Sequence, residues 1–201
     1  MDKKEQIILA ALELAAENGP AAVSMSQIAD KVGIKKPSLY NHFPSKEAII
    51  AAMYGYLREA SKKQHSLQDT DYGSFVEDKS AEQALTMSVL SYRNMCTDKD
   101  MLSFYKLIYS QRASDPAAAA IIKEETDRMV LSTKNLFYAL KVHGKFSIGD
   151  IDTAALSFAM TVHSLIDYQL DCKCCGHPIP DDMLINFIHR FCIICGGESN
   201  E

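Results

Sequence analysis

An all-α fold is what this sequence predicts, on three observations. Apolar side chains recur at three- and four-residue spacing, runs of alternating β-branched residues are missing, and Gly and Pro fall between periodic segments rather than inside them. The first helix is expected over Lys3–Asn18, with Ile7, Ile8, Ala11, Leu12 and Ala15 on one face and Gly19–Pro20 as its stop. A short helix follows over Met25–Val32, with Ser24 placed to accept from the free amides of its first turn. Gly33 makes a tight turn into a second short helix over Lys36–Phe43. Pro44 ends that helix, and Ser45 caps a longer one running to about Leu67. Residues 68–77 are polar, contain Gly73 and read as a loop. Helices are then expected over 79–96, 99–112, 116–142, 150–170 and 182–195, nine in all. The helix over 116–142 has the clearest start: Asp115 caps it, Pro116 fits a first turn whose amide has no partner anyway, and Gly144 lies past its end.

Of the 201 residues 47% are apolar and 23% charged, the composition of an ordinary globular protein rather than a disordered one. No apolar run approaches the ~18 residues of a membrane span, and Glu13 and Glu17 interrupt what would be a signal-peptide core. A cytoplasmic location and no membrane partner are therefore expected. The net charge of −5 argues against non-specific coating of nucleic acid and against a nucleoid-type DNA binder. Residues 1–50 nevertheless hold six Lys against six acidic residues, and Ser24–Lys46 carries Lys31, Lys35, Lys36 and Lys46 against Asp30 alone. A boundary near residue 46 separates a small tri-helical head (1–46) from a larger helical body (47–201).

Two short helices joined by a tight Gly turn mark a helix-turn-helix. Ile28, Ala29, Val32, Ile34 and Leu39 are expected to pack the pair on each other and on the first helix. The opposite face then shows Lys35, Lys36, Ser38, Tyr40, Asn41 and His42. That face suits a major groove: Lys neutralises phosphate, the Ser38 and Tyr40 hydroxyls donate to phosphate oxygens, and Asn41 and His42 can reach base edges. Ser45 and Lys46 open the next helix, whose first amides favour an anion.

The order of these residues carries a resemblance. Val23–Ile50 reads VSMSQIADKVGIKKPSLYNHFPSKEAII, and its combination of I-A, G-I and L-Y-x-H-F-x-S-K-E closely resembles the amino-terminal domain of the tetracycline-repressor family of bacterial transcription regulators. The resemblance covers roughly the first 50 residues. It implies an all-helical homodimer with a recognition helix at Lys36–Phe43 and a divergent carboxy-terminal domain that binds a small effector and dimerises. Carried over by position, Ser24, Ser26 and Gln27, the residues Lys35, Lys36, Pro37, Ser38, Tyr40, Asn41 and His42, and Lys46 become contacts to a double-stranded DNA operator, with Tyr40 and Lys46 clamping phosphates. Three departures stand out: Lys35 where a Ser cap is frequent, Pro37 where a small residue is, and Ser26 in place of a base-contacting Arg.

Helix-turn-helix proteins pair to read half-sites about 34–36 Å apart, or a multiple of that. The helix over 150–170 is apolar nearly all round, and the last helix is richer still, so Leu156, Met160, Leu184, Ile185, Ile188, Phe191, Cys192 and Cys195 are candidates for a dimer face; the alternative is that both are central core helices. An apolar effector cavity is sought among Tyr92, Met95, Phe104, Tyr105, Ile108, Tyr109, Met129, Phe137, Phe158 and His163, although such residues at helical spacing are as readily plain core. Asp171–Pro178 offers Cys172, Cys174, Cys175 and His177 as an alternative, a metal- or thiol-responsive sensor, against inert thiols. No phosphate loop, nucleophile elbow or paired zinc histidines occur in the sequence, so neither catalysis nor a cofactor is expected.

Overall fold

The computed structural model describes residues 2–19, 22–64, 70–97, 99–179 and 182–196, leaving aside the side chains at 57, 58, 60–64, 99, 100, 103 and 104. Among them are ten helices and no strand: α1 (Lys3–Asn18), α2 (Met25–Val32), α3 (Lys36–His42), α4 (Lys46–Gln64), α5 (Tyr72–Val76), α6 (Ala81–Thr97), α7 (Lys99–Gln111), α8 (Pro116–Val142), α9 (Ile151–Cys175) and α10 (Met183–Ile194). None of these is long and apolar enough to cross a membrane. The chain gathers into two compact units, one of residues 1–65 with 98–124 and the other of 66–97 with 125–201. The first unit therefore holds α4, α7 and the opening of α8 together with the tri-helical head, a different grouping from a cut at residue 46.

In the first unit α1 packs on α2, α4 and α7, and α2 on α3. Ile7 and Leu12 of α1, Ile28 of α2, Leu39 of α3, Ile49 and Met53 of α4, and Leu107 and Ile108 of α7 share one buried cluster, which Ala118 and Ile121 of α8 join. Ile28, Ala29 and Leu39 lie inside as expected, with Val32 and Ile34 partly buried against the same cluster. Each large aliphatic side chain so buried stabilises by about 1.5–3 kcal/mol. Ala29, 1% exposed, has too small a side chain to hold neighbouring helices apart.

Local chemistry sets the helix starts. Asp2 accepts from the Glu5 amide at 2.9 Å, Asp115 from the Ala117 amide at 2.8 Å and Asp150 from the Thr153 amide at 3.1 Å. Ser80 and Gln83 satisfy each other's backbone amides at the mouth of α6.

Three features differ from the sequence reading. The stretch 68–77 is not all loop, because α5 forms within it; residues 65–69, including the expected helix end at Leu67, lie outside the described residues. Asp71 caps α5 through Ser74, Tyr72 meets the Ser132 hydroxyl at 2.7 Å, and Lys145 donates to the carbonyls of Val76, Glu77 and Lys79 beyond its end. The helix over 150–170 runs on to Cys175. Gly176, at φ 72°, closes it, and the His177 amide reaches back to the Cys172 carbonyl at 2.9 Å. The cysteine segment is thus helix through Cys175. Finally, Leu184, Ile188 and Cys192 are each 0% exposed and so line the interior of the second unit rather than a partner-facing surface. They sit behind a cluster in which Phe137, Phe158 and Phe191 pair at 4.8–5.6 Å between ring centres.

One long-range pair stands out in the first unit. The Tyr54 hydroxyl donates to Asp115 Oδ2 at 3.1 Å. Burial and the neighbouring carboxylate push the phenol up to about 12. A raised folded-state pKa contributes stability that is whole below the unfolded value near 10 and is lost as pH climbs through 12, here roughly 3 kcal/mol. Tyr54→Phe should cost about 1 kcal/mol at pH 8, the net worth of one hydrogen bond. In urea titrations repeated at pH 8, 10 and 11.5, the wild-type advantage should shrink and then reverse; a constant gap would show that the phenol does not titrate late.

Candidate nucleic-acid interface

The interface is built from α2, the turn at Gly33, α3 and the start of α4. Ser24 and Gln27 form a full capping box: the Gln27 amide donates to Ser24 Oγ at 3.3 Å, and the Ser24 amide donates to Gln27 Oε1 at 2.9 Å. The Ser24 hydroxyl also donates to Gln27 Oε1 at 2.8 Å. Both residues were expected at DNA, and here both set the start of α2 as well. Gly33 takes the left-handed conformation at φ 71°, ψ 35°, where a side chain would be strained, and its amide closes α2 on the carbonyls of Ala29 and Asp30.

Helix α3 has only seven residues and no side-chain cap at Lys35; Pro37 in its first turn takes the fixed φ the helix needs. Leu39, 0% exposed, pins it to the core, and Phe43, 8% exposed, anchors the chain just beyond it. At about 100° per residue the opposite side must then point outward. Lys35, Lys36, Pro37, Tyr40 and Asn41 are exposed, and Ser38 and His42 half-buried. Ser24, Ser26 and Gln27 are exposed at the start of α2. The Ala48 amide donates to Ser45 Oγ at 3.2 Å, which opens α4 beside half-buried Lys46. The residues expected to face DNA are thus exposed or half-buried on α2, α3 and the start of α4.

The charge balance is narrower than the lysine count suggests. Lys31 Nζ lies 2.8 Å from Glu13 Oε2, and that carboxylate raises the lysine pKa. Lys31 is thus paired to α1, and the face also carries Lys35, Lys36 and Lys46.

The residues expected to line an effector cavity divide between the units. Tyr105, Ile108 and Tyr109 of α7 belong to the first, while Tyr92, Met95, Met129, Phe137, Phe158 and His163 belong to the second; the Phe104 side chain lies outside those described. Within the second unit the Tyr92 hydroxyl and His163 Nδ1 are 2.9 Å apart, and His163 Nε2 lies 3.6 Å from Asp167 Oδ2. Sequence reading missed Glu125 and Gln169, both buried. Glu125 pairs with Arg128 at 3.0 Å. Its signal was present, since Ala118, Ile121 and Glu125 fall at i, i+3 and i+7 of one face. Of the cysteine segment, Cys172 is buried, whereas Cys174, Cys175 and His177 are exposed. Among the described residues no three His, Cys, Asp or Glu side chains stand together so as to hold a metal ion.

Residues 7–53 match the family of bacterial regulatory proteins of the tetR type. The chain is 42% identical over 55 residues to an HTH-type transcriptional regulator, YerO, of Bacillus subtilis, itself uncharacterized; the match covers 27% of this chain and 19% of that protein. The chain thus spans about a fifth of the length of this curated relative. Over nearly the whole chain the fold is similar to that of a TetR-family transcriptional regulator from Mesorhizobium loti, with a TM-score of 0.71, 20% identity and 96% of each chain covered. A transcriptional regulator from Saccharomonospora viridis, solved with choline, aligns with a TM-score of 0.69 and 18% identity over 94% of each chain.

Ser24→Ala removes the side-chain half of the capping box, the acceptor of the Gln27 amide, while the backbone amide at 24 can still donate to Gln27 Oε1. It should lower stability by about 1 kcal/mol in urea unfolding, whereas Ser24→Asp, which still accepts from the Gln27 amide, should stay within a few tenths. Equal losses in the two variants would mean that the box does not hold α2.

Proposed function

We propose that this chain, whose residues 7–53 match the tetR family of bacterial regulatory proteins, is a homodimeric DNA-binding repressor, released from a pseudo-palindromic operator by a small, mostly apolar effector. The observation that carries this reading is the burial of Leu39, which turns Pro37, Tyr40 and Asn41 of a capped helix-turn-helix toward solvent, next to the exposed Lys35 and Lys36 at the helix start. Tyr40 and Lys46 hold phosphates, and Ser38, Asn41 and His42 read base edges. The charged face is small, so one head makes few phosphate contacts and two heads are needed for tight binding.

The pairing surface lies on the second unit. Leu156, Met160 and Tyr168 are 45–50% exposed along α9, and Ile185, Ile193 and Ile194 are exposed on α10, Ile194 at 83%. Leu156, Met160 and Tyr168 fall at i, i+4 and i+12, one stripe of the helix, and a two-fold axis buries such a stripe against its own copy. The effector reading draws on Tyr92, Met95, Met129 and His163 of the second unit, where polar groups sit among apolar ones. The protein solved with choline supports a small-molecule input in this fold. Binding that favours one dimer geometry changes the head spacing and with it the fit to DNA.

Selection of random duplexes by the purified protein should enrich one short sequence with two-fold symmetry, bound less tightly as salt rises. Tyr40→Phe and Lys46→Ala should weaken all sequences alike, while alanine at Ser38, Asn41 or His42 should alter the preferred bases by about 1–3 kcal/mol per contact. Failure to enrich any sequence would overturn the reading.

Sedimentation velocity tests the pairing separately. Leu156→Glu buries a charge in the proposed interface and should convert the dimer to monomer at micromolar concentration, with no change in helical content. A wild-type chain that sediments as a monomer would remove the dimer from the proposal.

A further inference from the structure

A half-open cleft of about 530 Å³ lies in the first unit between α4 and the opening of α8. Ile50, Tyr54 and Ile121 supply its apolar base, and Tyr54 and Ile121 are only 7% and 3% exposed. The space exists because the walls carry small residues; Ala51, Ala117 and Ala120 stand where longer side chains would close it. Two charged side chains line it, Glu47 and Asp115, and both are carboxylates.

We propose that this cleft binds a small organic cation with an apolar body. The volume falls in the range of small-molecule sites, and the lining combines apolar surface with few polar groups, as such sites do. Charge decides among ligands of that size: an anion meets two like charges, whereas an ammonium meets two opposite ones. Asp115 is held in position, with Oδ1 accepting from the Ala117 amide at 2.8 Å and Oδ2 from the Tyr54 hydroxyl at 3.1 Å. A carboxylate has about four acceptor positions, so capacity for a cation remains. Glu47 is kept ionised by its own amide and by the Ser45 hydroxyl, which hold its carboxyl below the usual range. The Tyr54 ring adds an aromatic wall. The cleft shares α4 with Ser45 and Lys46, so an occupant touches the helix that presents the phosphate contact. Only that consequence rests on the DNA-reading proposal; the binding itself does not.

Calorimetric titration of the full chain with benzyltriethylammonium tests it, with benzenesulfonate as an anion of similar size. The cation should bind at one site and the sulfonate at least about tenfold more weakly. Glu47→Gln and Asp115→Asn, the latter still able to cap α8, should each weaken the cation about 2- to 5-fold, the worth of a partly exposed ion pair. Ala120→Phe, at an exposed position of α8, should fill the cleft and abolish binding; if it misfolds, Ala51→Leu closes the opposite wall. Absence of heat at ~10 mM cation, equal binding of the sulfonate, or cation affinity untouched by the filled cleft would each overturn the proposal. No DNA enters this experiment, so its failure leaves the operator reading standing, and failure of duplex selection leaves the cleft.

Discussion

Everything the first unit offers to a ligand surface depends on how α3 is held. A helix of seven residues cannot nucleate or persist on its own in water. It survives because Leu39 is wholly buried against a cluster of α1, α2, α4 and α7 residues, and because Gly33 and Phe43 fix the chain at either end. One side chain inside dictates much of the rest, since helical geometry sets Pro37 and Asn41 about 160° round from Leu39 and so outward. The exposed face is therefore a consequence of core packing, and its precision comes from the core's stiffness. A loosened Leu39 would cost both stability and aim.

Electrostatics set the character of that face. The chain carries a net charge of −5, and Glu13 takes up one of the four lysines near the turn. The other lysines of that face are Lys35, Lys36 and Lys46, too little charge to coat a duplex. On the DNA-reading proposal, so weakly charged a head gains little from random DNA and draws on base contacts and on pairing. The acidic remainder of the molecule sharpens this bias, because it repels phosphate wherever the head is not facing it.

What sequence reading recovered has a common physical basis. Periodicity, caps and stops are local, so α1, α2, α3 and α8 could be read with nearly their true bounds from Ser24, Gly33, Pro37 and Asp115. What it missed depends on distant partners. Helix α5 is held by Lys145, some 66–69 residues further on. The Tyr54–Asp115 bond joins residues 61 apart, and the last turns of α9 bury Gln169 and Cys172 in a polar-looking stretch. Leu184, Ile188 and Cys192 were apolar enough for a dimer face, but hydrophobicity alone does not tell an interface from a core; α10 buries these three and exposes Ile185, Ile193 and Ile194. Of the candidate site, the exposure of Lys35, Lys36, Tyr40 and Asn41 was legible because a single short stretch encodes it, whereas a cavity assembled from several helices was not.

The interiors of the two units differ in kind, and the difference bears on what each can do. The cluster behind α3 is built of aliphatic and aromatic side chains, which pack in few ways and transmit little give. The second unit buries Glu125 with Arg128, encloses Gln169, and sets Tyr92 against His163. Taking such groups out of water costs more than an apolar replacement would, so they are poor choices for stability alone. They are suited to an interior whose hydrogen bonds can be exchanged for those of a ligand, at small net cost because each bond lost is replaced. The proposed regulator would draw on both, a stiff core behind α3 in one unit and a polar-containing interior in the other.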